Sequence, residues 1–129
     1  MIESVLKLDT KDTVSGTIYE TREIEYMFYA MEHWLPFVTL GSNKDSVGTP
    51  LGQLVGAADA LFIKDGQLWV DYHLYDELPT TKFLKALKEE NVELTYHPAL
   101  TADVVDGYAR NIKMLYVHIE AKTTDAPSL

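Results

Sequence analysis

The sequence contains no cysteine, which excludes disulfide staples, thiolate nucleophiles and cysteine-ligated metal centres. It also lacks any apolar run near the roughly 20 residues that cross a bilayer. Residues 1–9 have neither the basic nor the apolar region of a signal peptide. Glycine-rich phosphate loops and serine-centred nucleophile elbows are absent too. We therefore expect a soluble protein, made in the cytoplasm, that binds no membrane and no cofactor.

Basic residues are scarce, since 11 Lys and Arg stand against 20 Asp and Glu and give a formal net charge of -9. Such a chain repels phosphate backbones, and no basic stripe with interleaved aromatic residues offsets that repulsion. The four histidines are too scattered to predict a structural zinc site by spacing. Nucleic acid and metal ions are therefore not expected partners.

Apolar residues are abundant enough for one hydrophobic core. The chain has 129 residues, of which 47% are hydrophobic, and it contains no low-complexity tract. A chain of this length buries enough surface to fold without staples. We predict a single domain over residues 1–129.

The clearest local signal is an Asp65-Gly66 pair between two apolar runs. A two-residue type I′ turn needs positive φ at both positions, and these residues tolerate it, so the pair predicts a β-hairpin. Counting outward from the turn predicts three apolar cross-strand pairs: Ile63 with Leu68, Leu61 with Val70, and Phe62 with Trp69.

A helix is predicted after this hairpin, from about Pro79 to Glu90. Pro79 suits a first helical turn, and Asn91 suits a left-handed position just past the end. The predicted core-facing residues of this helix are Phe83, Leu84 and Leu87. Alternating apolar and polar residues after Asn91 then predict a returning strand.

A second Asp-Gly pair, Asp106-Gly107, predicts a second hairpin. If its loop has two residues, Asp103 faces Arg110 and Thr95 faces His118. The same register would place two carboxylates opposite each other, those of Glu93 and Glu120, which is unfavourable. A bulge or slip before that pair is therefore an open alternative.

The other segments are less strongly patterned. They are predicted to be an arm or a first edge strand (1–12), a strand (13–21), a partly helical segment that ends before Pro36 (23–36), a short buried strand (35–40), a polar loop (41–50) and a polar tail (123–129). Together these elements predict an α+β fold with a mainly antiparallel, barrel-like sheet, one clear helix and a second, ambiguous one.

This pattern resembles the prohead (capsid-maturation) serine proteases of tailed bacteriophages, which are structural relatives of the herpesvirus assembly protease. The matching segments are a glycine-opened strand (Pro50-Leu51-Gly52-Gln53-Leu54), an apolar return strand (Leu68-Trp69-Val70-Asp71-Tyr72), a Lys-rich helix (Phe83-Leu84-Lys85-Ala86-Leu87-Lys88), a late strand (Arg110-Asn111-Ile112) and a closing Asp125-Ala126-Pro127.

The resemblance also implies where catalytic residues would lie. In the family, the strand after the helix carries the catalytic Ser, and this sequence has Leu94-Thr95 there. The family's His precedes the glycine-opened strand, and the segment 40–46 contains none. The resemblance therefore implies a prohead-protease-like fold that has lost its nucleophile, with Thr95 in its place, and we expect no peptidase activity.

The role that follows is structural. We expect a virion protein on the outside of the capsid, a decoration or cement protein bound to the major capsid protein, with self-association left open. Acidic surface suits the outside of a DNA-filled shell better than its lumen. The predicted contact residues are Tyr26, Tyr29, Trp34 and Phe37, because Trp and Tyr are preferred interface anchors, although such clusters are more often core.

Three alternatives remain open at this point. An active prohead-maturation protease would pair the Thr95 hydroxyl with His118, with a nearby glutamate orienting the ring. Asp71 and His73, two apart on one strand, share a face and would supply two ligands to a divalent metal. A non-viral binding module with a similar sheet is the third alternative.

Overall fold

The computed structural model describes residues 1–13, 15–41 and 53–121. Within them the chain forms two helices and one six-stranded sheet. In chain order the elements are β1 (Ile2–Lys7), α1 (Thr21–Met31), β2 (Phe37–Gly41), β3 (Leu54–Lys64), β4 (Gln67–Leu74), α2 (Pro79–Glu89), β5 (Leu94–Val105) and β6 (Tyr108–Ala121). The predicted α+β class is confirmed, and the ambiguous segment before Pro36 supplies a second helix.

The sheet runs in the order β1-β4-β3-β2-β6-β5 and curls into a half-barrel. Every neighbouring pair is antiparallel except β2 and β6, which are parallel. Residues 2–7 therefore form an edge strand rather than a loose arm. The predicted loop beyond Gly41 and the predicted tail from residue 123 lie outside the described residues.

Both Asp-Gly pairs form the predicted turns. Asp65 and Gly66 have φ of 51° and 70°, and Asp106 and Gly107 have φ of 53° and 85°. These positive values at both central positions are those of a type I′ turn, which matches the twist of the flanking strands. All three predicted cross-strand pairs of the first hairpin are present.

The helix predicted after the first hairpin is confirmed, but one of its predicted core-facing residues is wrong. Pro79 begins α2, and Asn91 has φ of 59° just beyond its end. Leu84 is buried as predicted, but Phe83 is 59% exposed. Thr81 takes the core position instead, because its hydroxyl donates a 3.0 Å hydrogen bond to the Val55 carbonyl and is thereby satisfied without water.

The predicted strand over residues 13–21 is wrong. The Asp12 carboxylate accepts hydrogen bonds from the Ser15 amide and hydroxyl, at 2.8 and 2.9 Å, and so closes a turn there. Helix α1 then begins at Thr21, whose amide and hydroxyl donate to the Asp9 carboxylate at 2.9 and 2.6 Å. These two bonds lower the pKa of Asp9. Local side-chain hydrogen bonds have outcompeted the weak strand pattern.

The core fills the inside of the curled sheet and is closed by one face of each helix. Its largest fully buried aliphatic side chains are Ile24 of α1, Leu68 of β4, Leu84 of α2 and Ile119 of β6. Burying each such side chain contributes about 1.5–3 kcal/mol relative to leaving it in water. The helices are thus held by the sheet rather than by their own propensity.

Helix α1 ends in an unusual turn. Glu32 has φ of 54° and ψ of -111°, and the Trp34 amide donates to the Met31 carbonyl at 2.9 Å across it. These angles belong to the first central position of a type II′ turn, which glycine normally occupies. A non-glycine residue there is strained.

Close approach of strands β3 and β4 makes Gly56 sensitive to substitution. A Cβ on Gly56 would lie 2.0 Å from the His73 carbonyl oxygen, which is backbone and cannot turn away. We expect Gly56→Ala to destabilise the fold by about 3 kcal/mol, as overpacking of a core does. Urea unfolding measures this change.

Gly16→Ala is the matched control for that variant. Gly16 has φ of 73° and nothing within 4 Å of its added Cβ, so only backbone strain acts there. We expect it to cost about 1 kcal/mol. Equal losses for the two variants would show that the contact with His73 does not govern the Gly56 position.

Candidate functional site

A row of polar side chains crosses three strands on the face of the sheet opposite the core. Thr39 of β2, His118 of β6 and His97 of β5 are direct register partners, so their side chains lie side by side. Glu120 and Thr95 form the next pair along β6 and β5. Alternate residues of the same strands belong to the core, which puts this polar row on the other face. The polar row groups two hydroxyls, two imidazoles and one carboxylate.

Within the polar row, the ring of His118 is buried and held by Thr39. Its Nδ1 lies 3.1 Å from the Thr39 Oγ1, which is buried too. The ring also meets Tyr116 edge-on, with centroids 6.2 Å apart. Parallel pairing of β2 with β6 creates this contact between residues 79 positions apart. The hydrogen bond satisfies two buried polar groups and sets the orientation of the imidazole.

Thr95, which the resemblance places at the nucleophile position, contacts a different histidine. Its Oγ1 lies 3.0 Å from the His97 Nε2 and 3.4 Å from the Glu120 carbonyl oxygen. A hydroxyl has one proton, so it donates to only one of these acceptors at a time. When it donates to the carbonyl, it accepts from the His97 N–H. His97 is exposed, whereas His118 is not.

The prediction that Thr95 faces His118 is wrong, because the second hairpin contains two bulges. Near the turn, Asp103 pairs as predicted. The register then shifts between Thr101 and Asp103 and again between Ala99 and Leu100. As a result Thr95 faces Glu120, and His118 faces His97. The two bulges shift the register by two residues in total, which keeps each side chain on its face of the sheet. Thr95 and His118 therefore share a face but belong to neighbouring cross-strand pairs on it.

The residues of β6 explain the first of these bulges. Asn111 has φ of 53°, a conformation that asparagine tolerates, and its Nδ2 donates a 2.9 Å hydrogen bond to the Asp103 carboxylate. The shift also moves Glu120 away from Glu93, which avoids the like-charge contact of the unbulged register. The bulged alternative is therefore the one the chain adopts.

The two residues considered as metal ligands each have a protein partner. The Asp71 carboxylate contacts the amino nitrogen of Met1 at 3.4 Å, and the His73 Nδ1 lies 2.8 Å from an Asp59 carboxylate oxygen. Over residues 1–13, 15–41 and 53–121, no group of three or more His, Asp or Glu side chains is arranged to hold a metal ion. Asp71 and His73 therefore gain no third ligand from the described residues.

The four predicted contact residues lie on the surface rather than in the core. Tyr26 and Tyr29 of α1 are 58% and 82% exposed, and Trp34 and Phe37 are 47% and 42% exposed. We call these four side chains the aromatic surface. The buried face of α1 is made instead by Ile24 and Met27 together with Glu23. Exposure of several large aromatic rings in one stretch is typical of an interaction surface.

Two tyrosine hydroxyls meet inside the curled sheet. The hydroxyls of Tyr72 on β4 and Tyr96 on β5 are 3.4 Å apart. Burial, and secondly the hydrogen bond with Tyr96, raise the pKa of Tyr72 far above its usual range. Burial also raises the pKa of Tyr96, and burial followed by the nearby Asp12 raises the pKa of Tyr19. The phenolate form of these residues is therefore disfavoured in the folded chain.

Sequence reasoning missed the partners that complete the polar row. His97 has no partner at motif spacing in the sequence, although its spacing of two from Thr95 places both on one strand face. Thr39 had no local signal, because its contact with His118 depends on pairing between distant strands. In the described residues, no helix is long and apolar enough to cross a membrane.

A two-helix, curled six-stranded sheet with one parallel pair is a prohead-protease-like fold. Among solved structures, the chain is similar to the capsid assembly protease of bacteriophage T4, gp21. The two superpose with a TM-score of 0.69 at 14% sequence identity, and the match covers 95% of this chain and 82% of that one. No protein-family model and no curated protein matches the sequence. At this identity the likeness shows the fold alone.

The buried contact of the polar row predicts a stability effect. Thr39→Val keeps the shape but removes the hydroxyl that contacts His118. We expect this variant to lose about 1–3 kcal/mol of unfolding free energy in urea, the cost of breaking a buried hydrogen bond. Thr95→Val, at a partly exposed site, is expected to lose less than about 1 kcal/mol. Equal losses would contradict the assignment of Thr39 as the buried partner.

The buried tyrosines predict a loss of stability in alkali. Above a pH of about 10, the unfolded chain releases phenolic protons that Tyr72, Tyr96 and Tyr19 retain when folded. Because the folded state then binds more protons, the unfolding free energy falls as the pH rises. Tyr72→Phe should make that fall less steep. Phenolate absorbance follows the titration, with the denatured chain as control, and coincident native and denatured curves would refute this expectation.

Proposed function

We propose that this chain is a virion structural protein, a decoration or cement protein that binds the major capsid protein on the outer capsid surface. The observation that carries the proposal is the aromatic surface, presented by a fold otherwise seen in a capsid assembly protease. Such rings cost free energy when left in water and gain it when covered by a partner.

Two features of the polar row favour a role without peptidase activity, although the Thr95 hydroxyl lies 3.0 Å from the exposed His97. An activated nucleophile needs a base within hydrogen-bond reach. The Nδ1 of the buried His118 contacts Thr39, and Thr95 faces Glu120 rather than His118. Thr95 lies inside the chain and lacks the amino-terminal amine that activates threonine nucleophiles. We therefore propose that the chain keeps the scaffold of the resemblance without its peptidase activity.

Charge supports the outer surface as the binding location. A net charge of -9 opposes contact with packaged DNA, because acidic surface repels phosphate. Many copies arranged on a repeating shell would also let modest contacts add up to firm attachment. Production in the host cytoplasm followed by assembly onto the shell fits both features.

Binding to assembled shells of the major capsid protein encoded nearby tests the proposal. We expect the chain to sediment with such shells, and the double variant Tyr29→Ser with Trp34→Ser to bind at least about ten-fold more weakly, as loss of interface anchors does. Phe83→Ser is the matched control, since Phe83 is 59% exposed on the other helix. Absence of binding, or equal loss in the control, would end the proposal. Mass spectrometry of virions should find the chain uncleaved and in hundreds of copies.

An active prohead-maturation protease is the second candidate, and the 3.0 Å contact between Thr95 and His97 favours it. In that case the chain would cleave the scaffold or capsid protein encoded nearby. Thr95→Ala and His97→Ala would each abolish cleavage, and His118→Ala would reduce it. Intact proteins after incubation would exclude this candidate. A non-viral binding module would show neither cleavage nor shell binding.

A further inference from the structure

The outer face of α1 combines carboxylates with aromatic rings at helical spacing. Glu25, Phe28 and Tyr29 occupy positions i, i+3 and i+4 of the helix, and Glu32 follows at i+7 as the residue that ends it. Phe28 is half-buried and also packs against the core. We call these four residues the stripe. They line a shallow groove at the surface together with Tyr26 and His33. In the part of the chain that the structure describes, neither carboxylate of this stripe takes part in an ion pair.

The position of Glu32 is unfavourable for the isolated chain. A negative charge at a helix carboxyl end opposes the helix dipole, and the last turn of α1 contains no basic residue. Glu32 also has the backbone angles of a glycine, φ of 54° and ψ of -111°. The unfavourable charge and the strained backbone thus belong to one residue, three positions after Tyr29, which is 82% exposed. A residue that violates two local rules at a surface is typical of a binding site.

Elsewhere in the chain, an aromatic ring and a carboxylate together bind an arginine side chain. The Arg110 guanidinium lies over the Tyr108 ring, 5.5 Å from its centroid, and donates to the Glu20 carboxylate at 3.0 Å. A ring and a carboxylate thus bind one arginine together. The other arginine of the sequence, Arg22, contacts Glu20 and Glu23. Neither arginine forms an ion pair with the stripe on α1.

We propose that the stripe of Glu25, Phe28, Tyr29 and Glu32 binds arginine side chains of the protein partner, two guanidinium groups lying on the rings and each donating to one carboxylate. This deepens the proposed function and rests on it only for the identity of the partner. Arginine fits better than lysine, because its planar guanidinium both stacks on a ring and donates two parallel hydrogen bonds to a carboxylate.

The distance between the two carboxylates of the stripe determines the choice of probe peptide. Glu25 and Glu32 are seven positions apart, which is about 10 Å along a helix. Arginines three residues apart on a polyproline II helix share a face and are about 9 Å apart, since that helix has three residues per turn. The probe is therefore the peptide acetyl-Arg-Pro-Pro-Arg-amide. Its matched control carries citrulline in place of both arginines, which keeps the shape and removes the charge.

Calorimetry and amide chemical shifts of α1 measure the binding. We expect the citrulline peptide to bind at least ten-fold more weakly than the arginine peptide, and the double variant Glu25→Gln with Glu32→Gln to reproduce that loss. Glu77→Gln with Glu89→Gln, which changes net charge equally elsewhere on the surface, should bind like the unchanged chain. Equal binding of both peptides, equal loss in both double variants, or no binding of the arginine peptide would each overturn the inference.

Glu32→Gly separates binding from stability. Glycine relieves the strained turn, so we expect the unfolding midpoint to rise by about 4 °C, while the arginine peptide binds several-fold more weakly. A fall in the midpoint would contradict the strain assigned to Glu32. Shell binding that is insensitive to Glu25→Gln and Glu32→Gln would overturn this inference and leave the capsid proposal standing. Peptide binding without shell binding would support the arginine site and contradict the capsid proposal.

Discussion

Parallel pairing of β2 with β6 is the contact on which the rest of the structure depends. It joins Val38 to Val117 and Leu40 to Ile119, residues about eighty positions apart, and so links the first half of the chain to the second hairpin. Its core side supplies four buried aliphatic side chains, and its other side supplies the contact of Thr39 with His118. Parallel strands need a long connection, and the chain between β2 and β6 includes the first hairpin, α2 and β5.

The two faces of that pairing have different consequences. On the inner face, burial of apolar surface holds the strands together and closes the helices over the sheet. On the outer face, this pairing places Thr39 beside the buried His118, and the pairing of β5 with β6 places the exposed His97 on the other side of that ring. The buried histidine contacts a threonine of the neighbouring strand, so this part of the polar row contributes to the packing of the sheet. One fold can carry different functions on its surfaces.

Those surfaces lie mainly on α1. Its inner side is fixed by Ile24 and Met27, which leaves the outer side free to present aromatic rings and carboxylates. The strained turn at Glu32 and a short connection lead from this helix to β2, which lies inside the sheet. Rings held on a rigid element lose little entropy on binding, which favours their use as anchors.

Local sequence determined the elements whose geometry is settled by neighbouring residues. Asp65-Gly66 and Asp106-Gly107 specified their turns, Pro79 and Asn91 specified the limits of α2, and alternation specified the strands around them. Contacts between distant segments decided the rest. The bulges at Asn111 and near Leu115 set which residue faces Thr95, the parallel pairing brought Thr39 to His118, and packing on the sheet exposed Phe83 and Tyr29. Periodicity shows which side chains share a face, but neither the partner strand nor the register of a long hairpin is encoded in any short stretch, because both depend on the free energy of the whole sheet.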